Sequence, residues 1–150
     1  QLTCDAGEPG YESEYALQMR LEMPAGGSAG CGTSVVMNPA WAEASGITFM
    51  VRSEPPDLAL NVLLGVADPA QTDPNEGATP FVVSLRTESD EWTPVIIPWE
   101  QFVKPDWAGE TGVTIFDPAR VVWLTFDVGN WETEQNGTIW IDVIQLLPED

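Results

Sequence analysis

Apolar and polar residues alternate along most of this chain. In YALQMRLEM the apolar set is Tyr15, Leu17, Met19, Leu21 and Met23, with Gln18, Arg20 and Glu22 between them. That is the period of a half-buried strand. GTSVVM (Gly32 to Met37), GITFMVRS (Gly46 to Ser53) and LALNVLLGVA (Leu58 to Ala67) follow, then PFVVSL, TPVIIP, VVWLTFDVG and GTIWIDVIQLL. Pro, Gly and Asn punctuate the gaps, as turns require. NPAWAEAS (Asn38 to Ser45) predicts one or two helical turns and PWEQF another. Eight or nine short strands with polar, Pro-rich connections predict an all-β fold, an antiparallel β-sandwich with jelly-roll topology. The acidic loop Asp68 to Pro80 reads as a surface excursion rather than a linker, because strands continue on both sides. With no repeat or second domain in view, the 150 residues read as one domain.

Composition narrows the partners. The hydrophobic fraction of 43% argues against disorder. Five Lys and Arg against 24 Asp and Glu give a formal charge of -19, which repels phosphate backbones and anionic lipid, so neither nucleic acid nor a membrane is expected as a partner. The plainest use of such a charge is solubility, with cation binding the alternative. No run reaches the length of a membrane span, and no charged-then-apolar leader opens the chain, as expected of a mature chain or a trimmed domain.

The two cysteines, Cys4 and Cys31, admit one disulfide or two buried thiols. The disulfide is expected, because an acidic, lysine-poor, Trp-rich chain reads as secreted and extracellular, and because both cysteines lie on segments flanking the Tyr15 to Met23 strand. The sequon Asn136-Gly137-Thr138 agrees with that setting.

Catalytic chemistry finds little to work with. There is no histidine, hence no ordinary neutral-pH acid–base group, no Ser/His/Asp set and no zinc motif. There is no GxSxG and no Gly-rich phosphate loop. Paired carboxylates can hydrolyse glycosides, but 24 acids on a small surface produce close pairs by accident. Binding is the expected class, not catalysis.

One stretch is unusually rich in indoles: DEWTPVIIPWEQFVKPDW, Asp90 to Trp107. Followed by VVWLTFDVG and NGTIWIDVIQLL, it resembles a carbohydrate-binding module of the galactose-binding-like β-sandwich type. The nearest likeness is to family 11, the β-glucan-binding modules of cellulases, and complex I intermediate-associated proteins have a related pattern. The matching positions are Trp92, Val95 to Ile97, Pro98-Trp99, Phe102, Phe126 and Gly137 through Asp142, with Trp41 and Phe49 upstream. The likeness implies a non-catalytic module for a β-linked glucan or related plant polysaccharide, either a monomer or part of a larger glycoside hydrolase. It places Asp106-Trp107 at the family's groove and Lys104 near a family arginine. Stacking of a sugar's CH face on an indole, with a carboxylate accepting hydroxyl protons beside it, gives that pairing a physical basis. Trp107, following Pro105 in a polar loop, is the expected platform, with Asp106 beside it. Trp131, on a turn next to Glu132, is a second candidate platform, and Asp90 and Lys104 are lesser contacts. Trp92 and Trp99 read as packing, whereas Trp123 and Trp140 each face a sheet surface, one of which is the groove.

The chain also departs from the family pattern. The family's additional acidic first strand, which contributes ligands to a structural calcium ion, is not matched, and the domain is expected to lack it. Asp142-Val143 stands where the family has Asp-Asp or Asp-Asn, leaving Asp142 as a candidate ligand for Ca2+. Gly30 and Val128 stand near two groove tyrosines. A missing first strand also motivates an alternative function, a structural or adhesive subunit of an extracellular assembly completed by strand exchange.

Overall fold

The computed structural model of the chain describes residues 1–129 and 132–149. Among the described residues nine strands follow one another: β1 (Leu2–Gly7), β2 (Ala16–Met23), β3 (Ser28–Ser34), β4 (Ala44–Glu54), β5 (Ala59–Val66), β6 (Thr79–Arg86), β7 (Thr93–Pro98), β8 (Val121–Gly129) and β9 (Gln135–Pro148). They form two antiparallel sheets, one ordered β1-β2-β9-β4-β7 and the other β3-β8-β5-β6. The chain changes sheet at most connections, so the two inner faces are filled from distant parts of the sequence. Among the described residues no helix is long and apolar enough to cross a membrane.

Alternation sets which side chains meet. In β5 Leu60, Val62, Leu64 and Val66 are fully buried, while Asn61 and Leu63 between them face outward and are only half-buried. In β9 Ile139 and Ile141 point inward, and in β4 Ile47, Phe49 and Val51 do the same. Phe49 of one sheet meets Phe126 of β8 in the other edge-to-face, with ring centroids 5.3 Å apart, a preferred geometry for two ring quadrupoles. Each such side chain contributes about 1.5–3 kcal/mol when fully withdrawn from water, and this interdigitated layer is the core.

The strands expected over VVWLTFDVG and TPVIIP match β8 and β7 residue for residue. Two departures have clear causes. GTSVVM is not a strand throughout: β3 begins earlier, at Ser28, and ends at Ser34, and Val36 and Met37 are exposed. An apolar run without a partner strand leaves the sheet whatever its propensity. β1 escaped the pattern because LTCDAG has little hydrophobic alternation; it is held by pairing with β2, Leu2 opposite Leu21 through Gly7 opposite Ala16. It occupies the edge beside β2.

NPAWAEAS supplies a short 3-10 turn, Pro39–Glu43, capped by the Asn38 side chain, which accepts from the Ala40 N–H. PWEQF supplies another, Trp99–Gln101. These turns bring Trp41 and Trp99 into parallel stacking at 5.9 Å, and Phe102 and Phe116 complete the cluster. Trp99 also donates its Nε1–H to the Ala44 carbonyl at 2.7 Å. Trp99 is therefore a packing residue, as its place after Pro98 predicts.

Candidate binding groove

The outer face of the four-stranded sheet is where polar side chains interrupt the aliphatic alternation. Register places Gly30 of β3 opposite Asp127 of β8, Asp127 opposite Asn61 of β5, and Asn61 opposite Ser84 of β6. These residues share one phase of the pleat, so their side chains lie side by side above the sheet. Hydrogen bonds join them into a ladder. Ser28 Oγ donates to Asp127 Oδ2 at 3.0 Å, Asn61 Nδ2 donates to Asp127 Oδ1 at 3.1 Å, and Ser84 Oγ donates to Asn61 Oδ1 at 2.7 Å. The ladder crosses four strands, about 14 Å at the usual interstrand spacing.

A groove of about 1020 Å³ lies over this ladder. Leu63 and Val82 form an apolar stripe along one side of the polar row, and Ala59 gives a smooth floor on the other. Gly129 and Glu132 bound the groove at the β8 end, and Pro105 and Trp107 rise at the β6 end. Arg86 also lines it.

Trp107 reaches the groove because its loop is tied to the sheet edge. Val103 and Val82 exchange backbone hydrogen bonds at 2.8 and 3.2 Å, which docks the segment after Phe102 against β6. Pro105 then leads into a single 3-10 turn, Asp106–Ala108, closed by the Gly109 N–H donating to the Asp106 carbonyl. Lys104 Nζ donates to the Thr111 carbonyl at 2.6 Å, drawing together the two ends of the loop. Trp107 is 70% exposed on this braced turn. A large indole left in water on an ordered turn has no packing reason to be there, because burial of its ring would be favourable.

The expected site residues thus separate. Trp107 lines the groove; Asp106 and Lys104 flank it in the same loop without being among the lining residues, and Lys104 acts as a brace. Asp90 is exposed in the connection between β6 and β7, apart from the groove residues. Trp131 lies outside the described residues. Trp123 is on the groove's sheet, its indole laid over Gly65: a Cβ there would meet the ring at 1.9 Å, so only glycine permits the contact. Trp140 is on the opposite sheet, 7% exposed, beneath the Arg52 guanidinium at 4.5 Å. Trp92 packs edge-to-face on Tyr11 at 6.0 Å.

The ladder residues Ser28, Asn61, Ser84 and Asp127 were not singled out from sequence. Their signal is faint but present. Asn61 is the single polar position within LALNVLLGVA, and Asp127 interrupts VVWLTFDVG, each on the outward phase of its strand.

Asp142 holds a hydrogen-bonded cluster of its own. It belongs to the other sheet, and its carboxylate accepts from the Tyr11 N–H at 2.8 Å, the Ser13 hydroxyl at 2.8 Å and the Val143 N–H at 2.8 Å. Burial pushes its pKa up, but the Ser13 hydroxyl and the Val143 and Tyr11 amides outweigh that and hold it below the ordinary value. Among the described residues no three acids or thiols gather closely enough to hold a metal ion. A calcium ion needs six to eight oxygen ligands, so the residues around Asp142 do not fit one: N–H and O–H donors stand where the ion's charge would be.

No protein-family model matches the chain, and no curated protein matches it. Solved structures do. A family 11 carbohydrate-binding module from Clostridium thermocellum, in complex with a β-1,3-1,4-mixed-linked tetrasaccharide, superposes with a TM-score of 0.77 at 14% identity, covering 99% of this chain and 83% of that one. The family 11 module of a cellulosomal cellulase of Clostridium thermocellum gives 0.76 at 13% identity, with coverage of 99% and 82%. A family 30 carbohydrate-binding module of another cellulosomal cellulase of Clostridium thermocellum gives 0.70 at 16% identity, with coverage of 99% and 83%. The chain shares the β-sandwich fold of these modules.

Proposed function

We propose that this domain is a non-catalytic carbohydrate-binding module whose ligand, a β-linked glucan or related plant polysaccharide, lies in the groove across β8, β5 and β6. The observation that carries the reading is the hydrogen-bonded ladder Ser28–Asp127–Asn61–Ser84 ending beside an exposed tryptophan. The two serine hydroxyl protons of the ladder are engaged within it, so it offers mainly lone pairs to a ligand. A polyhydroxylated chain supplies the matching donors. Leu63, Val82 and the Trp107 ring supply surface for the CH faces of the same chain.

The bound tetrasaccharide in one structural neighbour supports the same ligand class. The Cys4–Cys31 disulfide suits an oxidising setting outside the cell, where a module of a larger glycoside hydrolase would hold its partner domain on the polymer. Strand exchange has no observation in its favour, since β1 already lies against the β2 edge.

Affinity electrophoresis through gels containing mixed-linkage β-glucan, xyloglucan and xylan tests the reading, with Trp107→Ala run beside the native protein. Retardation of the native domain by at least one polymer, lost in the variant, is the expected result. Migration unaffected by every polymer would sink the proposal.

A further inference from the structure

We infer that Arg86 is a preorganised hydrogen-bond donor to the ligand in this groove and that Asp57 is the residue that positions it; the inference rests on the glycan reading above. Arg86 lines the groove opposite Ala59, next along β6 from Ser84 on the same face. Its Nε donates to Asp57 Oδ1 at 2.5 Å and a terminal nitrogen donates to the Asp57 carbonyl. A guanidinium carries five N–H donors, so this clamp fixes its plane and leaves the others for a ligand.

The clamp is costly in ways that stability alone does not explain. Both side chains are more than half exposed, Arg86 at 52% and Asp57 at 76%, and an ion pair in that setting adds little to folding. Asp57 is also held at φ 67, a left-handed conformation uncommon outside glycine. Beneath it a buried network enforces the turn. The Ser53 and Thr87 hydroxyls, 0% and 2% exposed, hydrogen bond at 2.6 Å. Thr87 Oγ1 accepts from the Leu58 N–H at 2.9 Å, and the Thr87 carbonyl accepts from the Asp57 N–H at 2.8 Å. Backbone strain over-determined by its surroundings is characteristic of sites that hold a group ready for a ligand.

The chemistry of the groove says what that group is for. The ladder presents acceptors, and a sugar chain brings ring and hydroxyl oxygens as well as hydroxyl protons. Arg86 supplies donors to those oxygens. Asp57 cancels its charge, so the pair recognises a neutral glycan by geometry and gives no advantage to an anionic one. Preorganisation also limits the side-chain ordering that binding an unrestrained arginine would require.

Isothermal titration with the β-1,3-1,4-mixed-linked tetrasaccharide, with melting temperatures, tests this on the native protein, Arg86→Ala, Arg86→Lys, Asp57→Ala, the Arg86→Ala/Asp57→Ala double variant and Trp107→Ala. If the native protein prefers another glycan in the gel screen, the same variants are read on that glycan. Expected are a loss of about tenfold in affinity for Arg86→Ala, on the scale of one hydrogen bond to a charged group, and little rescue by lysine, which lacks the planar fork. Asp57→Ala should weaken binding several-fold, and the double variant should be no weaker than Arg86→Ala alone, because Asp57 acts through Arg86. Melting temperatures should stay level for the Arg86 single variants and Trp107→Ala, and fall modestly where Asp57→Ala places alanine at φ 67. Native affinity in Arg86→Ala, with binding lost in Trp107→Ala, overturns this inference and leaves the glycan reading standing. An affinity loss in Arg86→Ala that comes with a falling melting temperature assigns the pair to the fold and overturns it too. A native protein that binds no glycan overturns both.

Discussion

Cys4 of β1 is disulfide-bonded to Cys31 of β3, with Cα atoms 6.0 Å apart. Because β1 is the edge of one sheet and β3 the edge of the other, this bond fastens the two layers together at one side of the sandwich. Cys31 is itself buried in the core and Cys4 is exposed. The bridge closes a sequence separation of 27 residues, which in the chain-entropy account stabilises the fold by about 3.5 kcal/mol. Reduction, or a Cys4→Ser/Cys31→Ser variant, should lower the unfolding free energy by that amount. β1, with few apolar side chains to hold it, should show the largest gain in amide hydrogen exchange. Unchanged protection in β1 after reduction would mean that pairing with β2 alone secures it.

Asp142 predicts a pH dependence whose sign follows from its partners. Its folded-state pKa is lowered from the ordinary value of 3.8. The stabilisation is therefore fully present above 3.8 and is lost as pH falls from there through the lower folded value. Ser13→Ala and Asp142→Ala should each melt below the native protein at neutral pH, and the gap should close in strong acid. A chelator should leave all three melting curves where they were, since Asp142 is held by protein donors. A native melting temperature that drops on chelation would restore a calcium ion to this corner.

How much of this was legible in the sequence depends on how local the determinant is. β7 and β8 were readable because alternation inside one strand already states which side is buried. β1 was not, because Leu2–Gly7 is defined by its partner β2 and by the bond from Cys4, both distant in sequence. The same division runs through the site. The exposure of Trp107 was legible, as that of an indole beside a proline in a polar loop. The ladder was not, since Asn61 and Asp127 become neighbours only when β5 and β8 pair, 66 residues apart. The partners of Asp142 were equally hidden, because Tyr11 and Ser13 reach its carboxylate only once a loop distant in sequence folds against β9.

Two tryptophans eight residues apart should behave in opposite ways. Trp99→Ala removes a ring stacked against Trp41 and packed on Phe102 and Phe116, together with the hydrogen bond to Ala44. Truncations of that kind cost about 3 to 5 kcal/mol, so this variant should melt far lower while any folded fraction keeps its affinity. Trp107→Ala, on an exposed turn, should keep the native melting temperature and weaken glycan binding by about 1 to 3 kcal/mol. Thermal melts paired with titration on each variant make the comparison. If the two phenotypes are exchanged, core and groove have been assigned the wrong way round.

The ladder makes the last prediction, and it concerns acceptors. Asp127 is bracketed by two donors, Ser28 on one side and Asn61 on the other, and its other lone pairs face the groove. Asp127→Asn keeps the size but replaces one acceptor oxygen with an N–H₂ group. Turned toward Ser28, the amide nitrogen donates to the serine oxygen while its carbonyl still accepts from Asn61, so the row survives with one bond reversed but loses the carboxylate's charge and an acceptor for ligand hydroxyls. Binding should fall by about 1.5 to 3 kcal/mol, the worth of a hydrogen bond to a charged group. Stability should fall less, because the ladder lies on an outer face where water can replace a lost partner. Ser84→Ala, at the far end of the row, removes one hydroxyl and frees Asn61 Oδ1, so its effect on affinity should be smaller than that of Asp127→Asn. Titration with the mixed-linkage tetrasaccharide, or with the polymer that retards the native domain, ranks the two. Equal and native affinity in both would remove the ladder from the binding site.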